Sequence, residues 1–144
     1  MTETAMATMQ RSQELLDLLA AFYRSAQASD MDALERLISH SGSALMIGSD
    51  PQEWWSGYDD IRRVFIAQME EMGGFPLSPG DPIAYAEGTM GWIADRPTLA
   101  LPDGKLEMRV SFVAHREDGQ WRLVHGHFSI GVSNEETVGQ ELTV

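Results

Sequence analysis

Two neighbouring stretches near the end of the chain alternate between apolar and polar residues, as half-buried β-strands do. Residues 108–115 and 121–130 both show this period of two, and Glu117–Gly119 between them contains the residue types of a tight turn. The pattern predicts an antiparallel hairpin with one buried face. Because a buried face sets the register of paired strands, we prefer the pairing that collects the apolar residues on one side.

A three-residue loop at Glu117–Gly119 satisfies this condition, whereas a four-residue loop mixes the two faces. It pairs Arg109 with His127 and Ser111 with His125. The predicted apolar face consists of Val110, Phe112, Ala114, Val124, Phe128 and Ile130. The predicted opposite face consists of Arg109, Ser111, Trp121, Leu123, His125, His127 and Ser129. We expect any functional site to lie against this hairpin.

The first half of the chain contains three segments whose apolar residues recur at spacings of three and four, the period of an amphipathic helix. The first helix is expected from about Met9, the second after a cap at Ser29, and the third from Asp59 to a stop at Gly73. Their predicted buried stripes are Leu15, Leu18, Leu19, Phe22 and Ala26, then Met31, Leu34, Leu37 and Ile38, then Ile61, Val64, Phe65, Gln68 and Met72.

Short apolar runs bounded by glycine and proline predict strands in much of the rest of the chain. They cover about 44–47, 83–87, 89–95, 105–115 and 120–132, with room for a further strand in 96–104. Ser49–Gly57 is predicted to be a loop, and Asn134 is predicted to cap a last helical turn. Helices that cover one face of an antiparallel sheet form an α+β fold. We predict a single domain over residues 1–144, with an ordered core at about 9–134 and flexible ends.

Composition narrows the classes of function. The chain has 144 residues, enough for one buried core, and it contains no cysteine, which excludes disulfides and thiolate metal sites. Its formal net charge of −12 disfavours binding to the phosphate backbone of nucleic acids. The apolar runs are too short to cross a membrane, and the first residues lack the basic segment of a signal peptide. We therefore expect a cytoplasmic protein without nucleic-acid or membrane partners.

The hairpin carries the run Trp-Arg-Leu-Val-His-Gly-His-Phe-Ser at residues 121–129, after Arg-Val-Ser-Phe-Val at 109–113. Together with Trp-Ser-Gly-Tyr-Asp at 55–59, this hairpin resembles the SnoaL-like domains of the nuclear transport factor 2-like superfamily. The resemblance extends from about Leu15 to Asn134. The subgroup with this motif is also similar to the association domain of calcium/calmodulin-dependent protein kinase II.

This resemblance implies a fold and an assembly. The fold is a cone of three N-terminal helices packed on a curved antiparallel sheet, usually dimeric through the outer face of the sheet. Comparison with the kinase association domain places Phe128 inside the cone and the two histidines outside. The resemblance implies no single activity, because the superfamily includes polyketide cyclases, steroid isomerases, dehydratases, transport factors and assembly domains.

Aromatic side chains supply the predicted ligand pocket, since binding pockets are mostly apolar with a few polar groups. We expect at least one of the neighbours Trp54 and Trp55 to contact the cavity, the alternative being one core residue and one surface residue. Phe75 is expected at the mouth of the cone. The predicted pocket residues are Tyr23, Trp54, Trp55, Tyr58, Trp92, Phe112 and Phe128. The expected ligand is a small apolar or aromatic molecule.

The polar group Arg109, His125, His127 and Ser129 admits three interpretations. We favour an interface in which the imidazoles and Ser129 hydrogen-bond across a two-fold axis between two copies of the chain. The same residues could instead be polar groups of the pocket. A metal site is disfavoured, because no carboxylate lies at a companion position and Arg109 would repel a cation. We therefore expect a homodimer that needs neither metal nor cofactor.

Candidate acids and bases for catalysis are Asp50, Tyr58, Asp95 and His127. The pairs that could share one cavity are His127 with Asp50 and Tyr58 with Asp95. Steroid isomerase chemistry needs a buried carboxylate base and an acid pair that stabilises an enolate. In the resemblance to those enzymes, their tyrosine matches Phe22, Asp50 lies near the position of the base, and the second acid has no counterpart.

Three classes of function remain. The preferred hypothesis is a homodimeric domain that binds a small molecule. The second is a cofactor-independent enzyme of the cyclase, dehydratase or isomerase type, and the third is a non-catalytic assembly or sensory domain.

Overall fold

The computed structural model describes residues 8–144, in which four helices and ten strands are present. The predicted flexible lead at the start of the chain lies almost entirely outside these residues. The helices are α1 (Gln13–Gln27), α2 (Met31–Leu37), α3 (Tyr58–Met72) and α4 (Asn134–Val138). The strands are β1 (Gln10–Arg11), β2 (Leu45–Ile47), β3 (Trp54–Ser56), β4 (Leu77–Ser78), β5 (Ile83–Glu87), β6 (Met90–Asp95), β7 (Thr98–Leu101), β8 (Gly104–Glu107), β9 (Arg109–Glu117) and β10 (Gln120–Ser129).

A seven-stranded sheet forms the wall of the cone, in the order β1-β5-β6-β9-β10-β2-β3. Its pairs are antiparallel except for β2 and β10, which run parallel. Strands β4, β7 and β8 form a second, small antiparallel sheet. Helix α1 packs against β5, β6 and β10, α2 against β10, and α3 against β2 and β3. The predicted α+β architecture, with helices packed on a curved, largely antiparallel sheet, is confirmed.

The helices begin and end close to the predicted positions. Ser12 caps α1 by accepting a hydrogen bond from the Leu15 amide at 3.2 Å. The cap of α2 is Asp30, whose carboxylate accepts from the Ala33 amide. The predicted cap Ser29 is wrong by one residue, because Ser29 has a φ of 53° and forms the turn between the two helices.

Other differences from the prediction concern short elements. Trp54–Ser56 is a strand and not part of a loop, because it pairs with β2. The segment 96–107 folds as the β7–β8 hairpin, so the long strand expected at 105–115 is broken at Met108. In α3 the buried residues are Ile61, Phe65 and Met69, and the predicted Met72 is 46% exposed. The cap of α4 is Ser133 and not Asn134.

The β9–β10 hairpin forms, but its register differs from the prediction. The turn contains only Asp118 and Gly119, whose φ angles of 50° and 78° are both positive, as a two-residue hairpin turn of type I′ requires. A β-bulge then follows between Leu123 and His125. As a result, Ser111 lies opposite His127 and Arg109 lies opposite Ser129, so both predicted pairings are wrong.

The bulge also changes which side chains share a face. Before it, Trp121 and Leu123 lie on the inner face, which the helices cover, so their predicted position beside the histidines is wrong; Leu123 is fully buried. Val124 lies in the bulge without a paired residue, and Ile130 follows the strand and is exposed. The rest of the predicted apolar face is confirmed, because Val110, Phe112, Ala114 and Phe128 all lie inside.

The core lies between α1, α3 and the inner face of the sheet. Its fully buried large side chains include Leu15, Leu19, Ile61, Ile93 and Phe112. Burying side chains of this size stabilises the fold by about 1.5–3 kcal/mol each. Among residues 8–144, no helix has both the length and the apolar composition that crossing a bilayer requires.

Candidate functional site

A small apolar cavity opens between α1, α3 and the hairpin wall. Its volume is about 110 Å³, less than the roughly 300–1,000 Å³ of most ligand pockets. Aromatic rings come from Phe22, Trp55, Phe65, Phe75 and Phe128. Aliphatic and thioether groups come from Ala26, Leu34, Met69, Leu77, Leu99 and Met108. The remaining lining residues are Gly48, Ser49, Glu53 and Gln68. The space suits one ring-sized group.

The rings of the cavity hold one another in edge-to-face contacts. Phe65 meets Trp55 at 6.0 Å with nearly perpendicular ring planes, and Phe22 meets Phe65 at 6.4 Å. On the sheet side, Phe128 packs edge-on to Phe112 at 5.5 Å. Such pairs contribute about 0.5–1.5 kcal/mol beyond their buried area, so the apolar walls are preformed.

One carboxylate lies at the polar end of the cavity. Glu53 accepts a hydrogen bond from Gln68 Nε2 at 2.7 Å through one oxygen and from the Asp50 amide at 2.9 Å through the other. The loop between β2 and β3 makes this position possible, because Gly48 has no side chain. A Cβ at Gly48 would lie 2.5 Å from Glu53 Oε1.

The structure divides the predicted pocket residues into two groups. Trp55 and Phe128 line the cavity, as does Phe75. Trp54 is 64% exposed, and its partner Trp55 is the one that faces inward, so one of the two contacts the cavity as expected. Tyr23 does not line it, and neither do the remaining three predicted aromatic residues, Tyr58, Trp92 and Phe112.

Each of these three lies elsewhere for a visible reason. Tyr58 begins α3 and stacks on His40, with ring centroids 4.0 Å apart. Trp92 points to the outer face of the sheet, where it stacks on Tyr85 at 5.3 Å. Phe112 is 1% exposed and lies behind Phe22 and Phe128 as a core residue.

Tyr23 and Asp95 form a buried pair beside the cavity. The Tyr23 hydroxyl donates a 2.8 Å hydrogen bond to Asp95 Oδ2, and the two side chains are 2% and 5% exposed. The Asp95 carboxylate also accepts from the amides of Gly80 and Arg96. Burial, the hydrogen bond to Asp95 and its negative charge together raise the pKa of Tyr23. Neither residue lines the cavity, so Tyr23 is not in the predicted place.

The acid–base pairs predicted for catalysis do not form. Asp95 bonds to Tyr23 and not to Tyr58. Burial and the nearby Glu35 raise the pKa of Tyr58, which lies beside the Glu35–Arg62 ion pair. Asp50 accepts from the Gln52 amide in its own loop, whereas His127 faces away from the cavity on the outer face.

The outer face of the sheet carries the polar group singled out in the sequence. Arg109, Ser111, His127 and Ser129 line a shallow groove of about 470 Å³ there, at the β9–β10 pair. His125 is half-buried on the same face, and its Nδ1 lies 2.9 Å from the carbonyl oxygen of Leu45. Within residues 8–144, no cluster of three or more histidines and carboxylates is arranged to hold a metal ion. The role of these residues in an interface stays a prediction.

The sequence pattern does not predict the polar end of the cavity or part of its apolar lining. The helical spacing correctly predicts Gln68 on the inward side of α3, whereas its partner Glu53 lies in the predicted loop 49–57 and has no predicted role. Met69 and Met108 were missed as lining residues. The signal for Met69 is its spacing of four from Phe65 and eight from Ile61 on one helix.

Comparisons with known proteins concern the whole cone. A family model described as the SnoaL-like domain matches residues 15–133. No curated protein matches the chain. Many solved structures do, among them a nuclear transport factor 2-like protein of unknown function from Pseudomonas putida, with a TM-score of 0.74, 16% identity, and coverage of 90% of this chain and 91% of that one.

Two further solved structures carry names that suggest roles. One, from Streptomyces avermitilis, has been proposed to be a dehydratase of the nuclear transport factor 2-like family; its TM-score is 0.74 at 13% identity, covering 84% of this chain and 96% of that one. The other, from Thiobacillus denitrificans, has been proposed to be a calcium/calmodulin-dependent protein kinase type II association domain. Its TM-score is 0.67 at 18% identity, with 80% and 93% of the chains covered. At these identities the likeness concerns the fold.

Proposed function

The chain belongs to the SnoaL-like domain family, and from this membership and the geometry of its cavity we propose that it is a homodimeric domain that binds a small apolar or aromatic molecule. The observation that carries the proposal is the preformed, ring-lined cavity of about 110 Å³. An apolar cavity of comparable size made by mutation in another protein stays dry and binds benzene, which shows that such space suits a single ring.

The proposal is for binding, without a reaction. The dehydratase suggested for the Streptomyces avermitilis protein would need an acid and a base that act on one bound molecule. The acid–base pairs considered in this chain are separated, with His127 on the outer face and Asp95 saturated by hydrogen bonds of the fold. This separation favours binding over turnover.

Self-association is proposed to use the outer face of the sheet. One cross-strand row runs from Tyr85 through Trp92 and Val113 to His125. A second row runs from Ile83 through Ala94 and Ser111 to His127. Trp92 is 40% exposed and Ile83 is 53% exposed, although apolar side chains of this size favour burial. A second copy of the sheet would cover both rows.

The binding half of the proposal is tested by calorimetric titration of the purified protein with toluene. For a seven-carbon ring compound in an apolar site, we expect a dissociation constant of about 0.1–1 mM. A variant that fills the cavity, Leu99→Trp, should abolish binding, because Leu99 lines the cavity from β7.

The matched control is Leu101→Trp on the same strand, where the native side chain is 41% exposed and outside the cavity. This variant should bind toluene like the native protein. Equal binding by both tryptophan variants would place the ligand elsewhere and overturn the proposal.

A further inference from the structure

The polar end of the cavity contains one negative charge and no positive one. Of the residues lining it in the described part of the chain, Glu53 is the only ionisable residue, and the others are apolar apart from Ser49, Gln68 and Gly48. The carboxylate is held on both sides, by Gln68 Nε2 and by the Asp50 amide. It is therefore a fixed group at the cavity and not a freely moving surface side chain.

The hydrogen-bonding capacity of this end is mainly that of an acceptor. A carboxylate offers about four lone-pair positions, of which the two hydrogen bonds to Glu53 use two. The Gln68 amide group uses one of its two N–H donors on Glu53, which leaves its oxygen as an acceptor and one N–H as a donor. A ligand that enters the cavity therefore contacts hydrogen-bond acceptors that have no partner in the fold. A ligand that carries hydrogen-bond donors pairs with them best.

The walls of the cavity favour the same kind of ligand. The faces of aromatic rings attract cations, and Trp55, Phe22 and Phe65 all line the space that ends at Glu53. An anion would meet the Glu53 carboxylate without a basic residue among the lining groups. The charge of Glu53 and the aromatic lining therefore both favour a cationic ligand over an anionic one.

We propose that the natural ligand of this cavity is a small ring compound that carries a primary ammonium group, with the ring among the aromatic side chains and the ammonium on Glu53. The inference rests on the proposed function, since it names the class of molecule that the same cavity binds. Glu53 acts here as the residue that determines specificity.

Calorimetric titration of the native protein with three probes of similar size tests this directly. The probes are the benzylammonium ion, benzyl alcohol and benzoate, with toluene as the uncharged reference. Because a hydrogen bond to a charged group is stronger than a neutral one, benzylammonium should bind at least about tenfold more tightly than toluene. Benzyl alcohol should fall between them, and benzoate should not bind measurably.

Two variants distinguish the effect of Glu53 from the effect of the negative net charge of the protein. Glu53→Gln should reduce the affinity for benzylammonium about tenfold and leave the affinity for toluene within about twofold. Glu70→Gln is the matched control, because it makes the same change at an exposed residue of α3 that does not line the cavity. It should leave both affinities unchanged.

The outcomes distinguish this inference from the proposed function. If toluene binds in the cavity while benzylammonium binds no more tightly, or benzoate binds equally well, the ammonium assignment is overturned and the apolar site stands. Unchanged preference in a folded Glu53→Gln protein also overturns it. If none of the four compounds binds, the proposed function fails and this inference fails with it.

Discussion

Tyr23 and Asp95 show most clearly how one pair of residues ties distant parts of the chain together. Tyr23 lies on α1 and Asp95 ends β6, and their hydrogen bond joins the helix layer to the sheet. The Asp95 carboxylate is buried, and its hydrogen-bond partners are three donors of the protein itself. A buried charged group left without one of its donors is costly.

Tyr23→Phe should therefore lower the free energy of unfolding at pH 7 by about 1.5–3 kcal/mol, the usual range for a hydrogen bond to a charged group. Urea denaturation followed by circular dichroism measures this. Tyr85→Phe is the control, because Tyr85 lies on the outer face and stacks on Trp92. A Tyr23→Phe protein as stable as the control would show that the pair contributes nothing.

The same pair makes stability depend on pH at the alkaline end. The pKa of Tyr23 is raised, first by burial and then by Asp95, so folding favours the protonated phenol. The stabilisation is fully present below the unfolded pKa of about 10. Above about pH 10 the unfolded chain loses a proton that the folded protein keeps, and the free energy of unfolding falls by up to about 1.4 kcal/mol per pH unit.

Urea titrations between pH 8 and pH 11 should show this decline in the native protein and a shallower one in Tyr23→Phe. The difference between the two proteins isolates Tyr23 from the other tyrosines. Parallel curves for the two proteins would contradict the assigned role.

At the residue scale, the sequence identified candidate residues more successfully than it predicted their contacts. Tyr23 and Asp95 were both candidates, but their pairing spans 72 positions and depends on where α1 docks on the sheet. Glu53 gave no signal, because its position depends on the close approach of its side chain to the backbone of Gly48.

At the scale of elements, the β9–β10 hairpin explains both a success and an error. Its shorter turn and its bulge each shift the register, and together they restore the expected alternation in the second half of β10. The histidines therefore face outward as predicted, while Trp121 and Leu123, before the bulge, face inward. A bulge shifts the alternation by one residue, and the only mark of it in this strand is the adjacent apolar pair Leu123 and Val124, which a regular half-buried strand also tolerates.

Gly126 permits the close packing of this hairpin on the core. A Cβ at this position would lie 2.7 Å from both Met46 Sδ and Phe112 Cε1. Gly126→Ala should therefore lower the free energy of unfolding by about 1–3 kcal/mol, the cost of overpacking. Gly42→Ala is the matched control, because its Cβ would meet nothing within 4 Å. Thermal unfolding of the two variants compares them, and equal transition temperatures would refute the assignment.

At the scale of the whole molecule, the fold was predictable and the shape of its interior was not. Apolar spacings of three and four, followed by alternating runs, specify helices that cover one face of a sheet. The cavity depends on how far the rings of Phe22, Trp55, Phe65 and Phe128 approach one another, which no local pattern contains. Its small volume follows from that packing.

The proposed dimer is tested by placing a charge on the outer face. Trp92→Glu should convert the dimer to a monomer in sedimentation equilibrium, because an unpaired carboxylate in a covered apolar row is costly to bury. Met72→Glu introduces a carboxylate at another exposed apolar residue, which is 46% exposed at the end of α3 and outside the sheet, and it should leave the dimer intact. A native protein that sediments as a monomer would contradict the proposed assembly.

The central claim is that the ring-lined cavity is the binding site, and the most direct measurement is nuclear magnetic resonance of protein labelled at its methionine methyl groups, with toluene added. Met69 and Met108 line the cavity, whereas Met72 and Met90 are 46% and 45% exposed outside it. We predict intermolecular nuclear Overhauser effects from the toluene ring to the methyl groups of Met69 and Met108, and none to Met72 or Met90. Effects to the two exposed methionines alone, or to none of the four, would contradict the account.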